Sequence, residues 1–192
     1  MRRRLRGALR RALFARRSVA HATKDDRAPA ANARLTALIG APAGSIVAGY
    51  RPIRTEIDPT PTMSALHALG ARLCVPVVVA PGEPLNFREW RPDAPMAAGP
   101  FGAEIPTEGE WLVPDVLIAP LLGWDRRGGR LGYGGGFYDR TLAQLRARGG
   151  ARAGRAIGFA YAAQEAPETP AGPFDQRLNA VVTENEVMEV AV

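Results

Sequence analysis

Short apolar runs recur along the chain between more polar stretches. They are six to eight residues long, rich in Val, Ile and Leu, and occupy residues 45–50, 73–79, 115–122 and 156–161. Continuous apolar runs of this length are typical of strands that are buried on both faces of a sheet. The pattern therefore predicts four buried strands, and residues 85–90 are predicted to form a further, outer strand.

Amphipathic stretches lie between these runs. Residues 60–69 begin with Thr60-Pro61 and stop at Gly70, which are start and stop signals of a helix. Residues 24–40 are predicted to form another helix.

The alternation of strands and helices predicts the architecture of the whole chain. It favours an α/β fold with three layers, α/β/α, around a mainly parallel, Rossmann-like sheet. Residues 91–110 contain four prolines and three glycines and are predicted to be a long loop. The sequence has no internal repeat or linker, so we expect one domain over residues 1–192.

The N-terminal segment is strongly basic. Residues 1–17 hold eight arginines and no acid, and leucines recur every four residues beside a face that carries Arg6, Arg10 and Arg17. This spacing predicts a basic helix over residues 1–20. Three interpretations stay open: a helix docked on the body with arginines directed at phosphates, a solvated arm that could bind nucleic acid, and a targeting segment.

Composition narrows the class of protein. The formal net charge is +6, but without the eight N-terminal arginines the chain carries 17 basic and 19 acidic residues, so nucleic-acid binding by the body is not expected. No apolar run approaches the ~18–20 residues of a membrane span. The single cysteine, Cys74, lies in an apolar run and is predicted to be a buried thiol. We expect a cytoplasmic monomer.

The segment D-R-R-G-G-R-L-G-Y-G-G-G-F-Y-D-R at 125–140 follows a predicted strand and precedes a predicted helix at 141–146. It holds six glycines between Gly128 and Gly136. Glycine lets the backbone approach a ligand closely and adopt positive φ, and the start of a helix offers free N–H groups to an anion. The segment therefore predicts a phosphate-binding loop.

Two side chains strengthen this prediction, and two known phosphate loops do not fit. Arg130 adds a planar set of donors, and Asp139 in the first helical turn could hold Mg²⁺ against bound phosphates. A P-loop needs Gly-Lys-Ser/Thr, whereas the only lysine is Lys24, far upstream. A dinucleotide fingerprint lacks its third glycine, where Phe137 stands. A glycine-rich hairpin or linker without ligand stays open as an alternative.

The segment P-L-L-G-W-D-R-R-G-G-R-L-G-Y-G-G-G-F-Y-D-R resembles the signature of the 5-formyltetrahydrofolate cyclo-ligase family, whose members are also called 5,10-methenyltetrahydrofolate synthetases. Weaker matches follow the family's order: the basic N-terminal helix, Y-R-P-I-R-T-E-I-D at 50–58 and F-D-Q-R-L-N-A-V-V-T-E at 174–184. The resemblance implies ATP- and Mg²⁺-dependent cyclisation of 5-formyltetrahydrofolate to 5,10-methenyltetrahydrofolate. ATP would phosphorylate the formyl oxygen, and ADP and phosphate would be released.

The resemblance also assigns roles to residues of this chain. ATP would be bound by Arg6, Arg10, Arg130, Gly132, Gly134, Gly135, Gly136, Phe137 and Tyr138, of which Arg130 and Tyr138 would act in catalysis. The folate substrate would be bound by Arg51, Glu56, Tyr133 and Phe137. The metal would be held by Asp139 and Asp175. An alternative N-terminal register would use Arg2 with Arg6.

Several positions depart from the family pattern. Arginine replaces lysine on the N-terminal helix, Gly135 stands where some members have lysine, and F-G-A-E-I-P at 101–106 alters the usual F-G-I-x-E-P. Phe174 and Asn179 stand where His and Asp are usual. Glu56 could instead be a surface acid before a turn, and Asp175 a turn or cap residue. Two other functions stay open: an inactive relative that binds RNA through the basic arm, and another nucleotide-dependent enzyme on the same scaffold.

Overall fold

The computed structural model of the chain describes residues 2–40, 44–149 and 154–190. Its helices are α1 (Arg2–Ala22), α2 (Lys24–Ile39), α3 (Thr60–Ala68) and α4 (Phe137–Ala147), with short 3₁₀ helices at Pro100–Gly102 and Ala162–Gln164. Its strands are β1 (Ile46–Ala48), β2 (Arg72–Val77), β3 (Asn86–Trp90), β4 (Met96–Ala98), β5 (Glu104–Pro106), β6 (Trp111–Leu112), β7 (Val116–Ala119), β8 (Gly123–Trp124), β9 (Arg130–Leu131), β10 (Arg155–Phe159), β11 (Ala180–Val182) and β12 (Val187–Glu189).

Eight of these strands form the central sheet, in the order β12-β11-β10-β7-β1-β2-β3-β6. The inner strands β11, β10, β7, β1 and β2 are parallel, and the outer strands β12, β3 and β6 pair antiparallel. Numbered along the chain, the parallel strands have the order 2-1-3-4-5, which is that of flavodoxin-like doubly wound sheets. The strand order reverses between β1 and β7, and in such sheets ligands bind at the carboxyl ends of the strands at this point.

Helices cover both faces of the sheet. On β7, Val116 and Ile118 pack with the core beneath α2 and α3, whereas Leu117 and Ala119 pack with Leu142 of α4 on the opposite face. This alternation follows from the two-residue period of a strand, and it requires an apolar residue at every position. The prediction of three layers around a mainly parallel sheet is confirmed.

Helix α1 lies against the carboxyl edge of the sheet. Its buried Leu13 packs with Leu9, Leu131 and Ala166, so the leucine stripe faces the protein. Over residues 6–22 the N-terminal helix is therefore docked on the body, and contact of its arginines with phosphates stays a prediction. The side chains of residues 2–5, and with them the register that uses Arg2, lie outside the described part of the structure.

The prediction of a long loop at 91–110 is wrong in part. Strands β4 and β5 form an antiparallel hairpin there, with Ala98 opposite Glu104, and Phe101 in the turn has φ 63°. Each strand has only three residues, which is too short for a sequence period to appear, and β5 is held by its packing against β2 and β3. Within the described residues, no helix is both long and apolar enough to cross a membrane.

Candidate active site

A cavity of about 680 Å³ opens at the carboxyl edge of the sheet. Its wall includes Tyr50, Val78 and Pro120, which follow β1, β2 and β7, so it lies at the point where the strand order reverses. Every site residue predicted from the sequence lines it: Arg6, Arg10, Arg51, Glu56, Arg130, Gly132, Tyr133, Gly134, Gly135, Gly136, Phe137, Tyr138, Asp139 and Asp175. Their roles in binding and catalysis stay predictions.

The glycine loop between β9 and α4 forms one wall of the cavity. Gly134 and Gly136 have φ of 105° and 68°, conformations that other residues rarely adopt. A Cβ atom on Gly136 would lie 2.7 Å from a guanidinium nitrogen of Arg140, and one on Gly135 would lie 2.8 Å from the Phe137 ring. The loop therefore presents its backbone to the cavity, and side chains at these glycine positions would collide with neighbouring groups.

Helix α4 begins directly after this loop. Gly136 is its N-cap and offers no side-chain acceptor, so the first N–H groups of the helix lack a partner within it. Asp139 lies in the first turn, as predicted. The loop and the positive end of α4 together form a site suited to an anion.

Asp125 anchors the turn that leads into the glycine loop. Its buried carboxylate accepts hydrogen bonds from the backbone N–H groups of Arg127 (2.9 Å) and Gly129 (3.0 Å) and from the N–H (2.7 Å) and hydroxyl (2.6 Å) of Thr169. Burial raises the pKa of Asp125, but these hydrogen bonds outweigh it and the pKa ends below its usual value. Sequence reasoning missed Asp125, although an Asp with amide partners two and four residues later is typical of an Asx turn.

The predicted metal carboxylates are paired with predicted ATP-binding arginines. Arg6 forms an ion pair with Asp175, and Arg130 forms one with Asp139 at 2.8 Å. Arg10 donates to the carbonyl of Gly132 at 2.9 Å. These contacts join α1, the glycine loop and the segment around Asp175, which are far apart in sequence.

The donor set of the cavity fits a phosphate ligand and a hard cation. Arg51 and Arg130 each bury an Nε atom without a hydrogen-bond partner among the described residues, and such donors are costly unless a ligand or water meets them. Asp139 and Asp175 are carboxylates of the kind that hold Mg²⁺. No group of three or more His, Cys, Asp or Glu side chains in the described parts of the chain could hold a metal.

Glu56 lines the cavity and is only 5% exposed, so the alternative of a surface acid is wrong. Its carboxylate accepts from the backbone N–H of Ile53 at 2.9 Å and lies 3.8 Å from a guanidinium nitrogen of Arg17. Burial raises the pKa of Glu56, although Ile53, Arg17 and Tyr133 oppose the shift. Arg51 is held by Glu104 at 3.1 Å.

Tyr138 lies beside Arg130, whose guanidinium carbon is 5.4 Å from the centre of its ring. Burial raises the pKa of Tyr138 well above its usual value, and Glu56 adds to the shift while Arg130 opposes it. The phenol is therefore protonated at neutral pH, so it can donate a hydrogen bond but cannot act as a base.

Two departures from the family pattern lie outside the cavity wall. Phe174 is 82% exposed. Asn179 accepts from the backbone N–H of Ala156 at 2.8 Å and therefore connects β10 to the following strand segment. Neither side chain belongs to the set of predicted metal ligands around Asp139 and Asp175.

Sequence reasoning placed Arg17 on a polar helix face, but Arg17 is fully buried. It continues the four-residue spacing of Leu9 and Leu13, and this spacing was the available signal for its position on the docked face. Arg54, with φ 56°, is also new: its guanidinium carbon lies 5.5 Å from the Tyr133 ring centre.

The fold and the site together define a class of protein: a doubly wound α/β protein whose ligand cavity joins a glycine-rich helix start to converging arginines and carboxylates. The family model of 5-formyltetrahydrofolate cyclo-ligases matches residues 2–184. The chain belongs to the 5-formyltetrahydrofolate cyclo-ligase family.

Individual relatives agree with this assignment. The chain is 34% identical over 178 residues to a 5-formyltetrahydrofolate cyclo-ligase of Mycolicibacterium smegmatis, covering 88% of this chain and 87% of the relative. It is 32% identical over 150 residues to that of Escherichia coli K12, covering 74% and 80%. Its fold is similar to the 5,10-methenyltetrahydrofolate synthetases of Aquifex aeolicus (TM-score 0.78, 25% identity, 98% and 94% covered) and Mycoplasma pneumoniae (0.73, 25%, 93% and 98%).

Proposed function

We propose that the protein cyclises 5-formyltetrahydrofolate to 5,10-methenyltetrahydrofolate and converts ATP to ADP and phosphate in the process. The observation that carries this proposal is that one cavity of about 680 Å³ holds all the predicted nucleotide, folate and metal residues in its wall. The named relatives support the same activity.

The reaction removes an oxygen that is a poor leaving group because the formyl group is amide-like. Transfer of the γ-phosphoryl group of ATP to the formyl oxygen turns that oxygen into a phosphate ester. N10 of the folate then attacks the activated carbon and gives up its proton, the C–O bond breaks, and phosphate leaves with the oxygen and takes up that proton. The products are methenyltetrahydrofolate, ADP and phosphate.

Phosphoryl transfer requires positioning and neutralisation of charge more than a nucleophilic side chain. The backbone of Gly134–Gly136 and the first turn of α4 bind the phosphates, with Arg6, Arg10 and Arg130 as charged donors. Tyr138 remains protonated because its pKa is raised by burial, so its hydroxyl can donate a hydrogen bond to the substrate or to phosphate.

Asp139 and Asp175 would hold Mg²⁺, which neutralises charge on the phosphates. Both carboxylates are paired with Arg6 and Arg130, which are themselves predicted phosphate ligands. With nucleotide and Mg²⁺ bound, each arginine would pair with phosphate and each carboxylate with the cation. Every charge would then still have an opposite partner.

The folate lies across the Glu56 side of the cavity. The Glu56 carboxylate accepts paired N–H donors from the edge of the pterin, and Arg51 is nearby. The rings of Tyr133 and Phe137 pack against the pterin and the formyl group.

The test is absorbance. Methenyltetrahydrofolate has a near-ultraviolet band that 5-formyltetrahydrofolate lacks, so a rise is expected when protein, ATP, Mg²⁺ and 5-formyltetrahydrofolate are mixed, and none when ATP is omitted. Arg10→Gln should raise the KM for ATP about tenfold or more, which is about 1.4 kcal/mol. Arg11→Gln, at the exposed neighbouring position, should stay within about twofold.

Three results would contradict the proposal. Absence of the band with the wild-type protein excludes the reaction. Nucleotide hydrolysis without folate binding would favour another nucleotide-dependent enzyme. Salt-sensitive RNA binding without ATP consumption would favour an RNA-binding relative. We also expect a cytoplasmic monomer, which cell fractionation and light scattering would test.

A further inference from the structure

Arg17 is the most deeply buried charged side chain near the cavity, but it does not line the cavity. Its side chain is 0% exposed, and an arginine is rarely buried completely unless all its donors are satisfied. It lies in α1, one turn after Leu13. Two residues that it contacts, Glu56 and Tyr133, line the cavity.

Every nitrogen of the Arg17 guanidinium has a partner. Nε donates to the hydroxyl of Thr55 at 3.1 Å, and one terminal nitrogen donates to the hydroxyl of Tyr133 at 2.7 Å. The other terminal nitrogen donates to the carbonyl of Leu121 at 3.4 Å and lies 3.8 Å from the Glu56 carboxylate. These partners come from the segments after β1 and β7 and from the glycine loop.

Two of these partners, Glu56 and Tyr133, are predicted to bind the folate. Both line the cavity, and a hydrogen bond from Tyr133 and the charge of Arg17 each lower the pKa of Glu56 against the effect of burial. The guanidinium carbon of Arg17 is 5.6 Å from the Tyr133 ring centre. One cation therefore orients both side chains and favours the charged form of Glu56.

We propose that Arg17 is a positioning residue that holds the Glu56 carboxylate and the Tyr133 ring in place for the folate substrate. The identity of that substrate rests on the proposed function. Arg17 touches no reacting atom.

The charged and titratable groups around Glu56 come from α1, the segment after β1, the glycine loop and α4. Arg17 faces it from α1, Arg54 from its own segment and Tyr133 from the glycine loop; the Glu56 charge also acts on Tyr50 and Tyr138. Burial raises the pKa of each phenol, so both are protonated at neutral pH. Arg17 and Arg54 are therefore the two cations that oppose protonation of Glu56.

Two variants separate the geometry of Arg17 from its charge. Arg17→Met removes both, and Arg17→Lys keeps a charge but loses the planar arrangement of donors. Arg16→Met is the matched control, because Arg16 is exposed on the same helix. Each variant is checked for folding by circular dichroism and by its melting temperature.

Binding of 5-formyltetrahydrofolate and of ATP is then measured separately. We expect both Arg17 variants to weaken folate binding about tenfold or more and to change ATP binding less than about threefold, whereas Arg16→Met changes neither. In Arg17→Met, loss of folate binding with falling pH should begin at a higher pH, because Glu56 accepts a proton more easily. In Arg17→Lys, that pH should stay close to that of the wild type.

A readout that needs no ligand tests the positioning role separately from the proposed function. Carboxyl ¹³C NMR of glutamate-labelled protein, with Glu56→Gln to assign the signal, should show a higher pKa for Glu56 in Arg17→Met than in the wild type. An unchanged Glu56 titration in folded Arg17→Met, or equal losses of folate and ATP binding, would overturn the proposal. Failure of the wild type to bind 5-formyltetrahydrofolate, with the NMR shift present, would refute only the proposed function.

Discussion

Replacing Asp125 by alanine is expected to destabilise the protein by about 2–5 kcal/mol. The carboxylate accepts four hydrogen bonds and is 2% exposed. A buried donor that loses its acceptor costs about 1–3 kcal/mol, and the two donors of Thr169, itself 4% exposed, have least access to water. Arg127 is exposed, so water can replace the carboxylate there. The total is a large part of a typical stability of about 5–15 kcal/mol.

The same carboxylate makes stability depend on pH. The pKa of Asp125 is lowered in the folded protein, so its contribution is fully present above the unfolded pKa and is lost as pH falls through the folded pKa. The difference in stability between wild type and Asp125→Ala should therefore be constant near neutral pH. It should shrink on the acid side, below about pH 4.

Urea unfolding followed by tryptophan fluorescence measures both effects, because the buried Trp124 is adjacent to Asp125. Asp93→Ala, at an exposed position, is the control and should change stability by less than about 0.5 kcal/mol. Asp125→Ala should also raise the KM for ATP, since the turn at Gly129 leads directly into Arg130 and the glycine loop. A loss below about 1 kcal/mol at pH 7 would refute the reasoning about buried donors.

Three further predictions concern the loop, the thiol and the carboxylates. Gly136→Ala should lower the free energy of unfolding by about 1–2 kcal/mol, because alanine is strained at positive φ, and it should also weaken ATP binding. Gly149→Ala is the control: its φ is 74° and the space around it is open, so it should lower the melting temperature in thermal unfolding but leave ATP binding unchanged. Burial raises the pKa of the Cys74 thiol well above its usual value, so the native protein at pH 8 should resist alkylation by iodoacetamide, whereas the unfolded protein should react. Rapid alkylation of Cys74 in the native protein would contradict this prediction. Asp139→Asn and Asp175→Asn should each raise the Mg²⁺ concentration needed for half-maximal turnover about tenfold. Binding of 5-formyltetrahydrofolate should change less than about twofold in both variants. An unchanged Mg²⁺ requirement would exclude these carboxylates as metal ligands.

Much of the fold could be predicted from the sequence because its signals are local. A strand buried on both faces needs an apolar residue at each position, so the run around Val116–Ala119 is recognisable without its neighbours. The glycine loop can likewise be recognised from the sequence, because glycines are needed where the backbone adopts positive φ, as at Gly134 and Gly136, and where a Cβ atom would meet its neighbours. The hairpin within 91–110 was missed because its strands depend on packing against the main sheet rather than on their own period.

The sequence by itself determined the four buried strands, the helices between them, the glycine-rich loop and the family of the chain, since each depends on residues a few positions apart, whereas the short strands β11 and β12 of the central sheet were not predicted. Only the tertiary structure decided which charges meet. Arg6 and Asp175 are 169 positions apart, and Arg17 reaches Tyr133 across 116 positions, so no local pattern indicates either contact. Burial is decided in the same way: Glu56 and Arg17 are ordinary charged residues in the sequence, and the packing of α1 onto the sheet edge removes both from water.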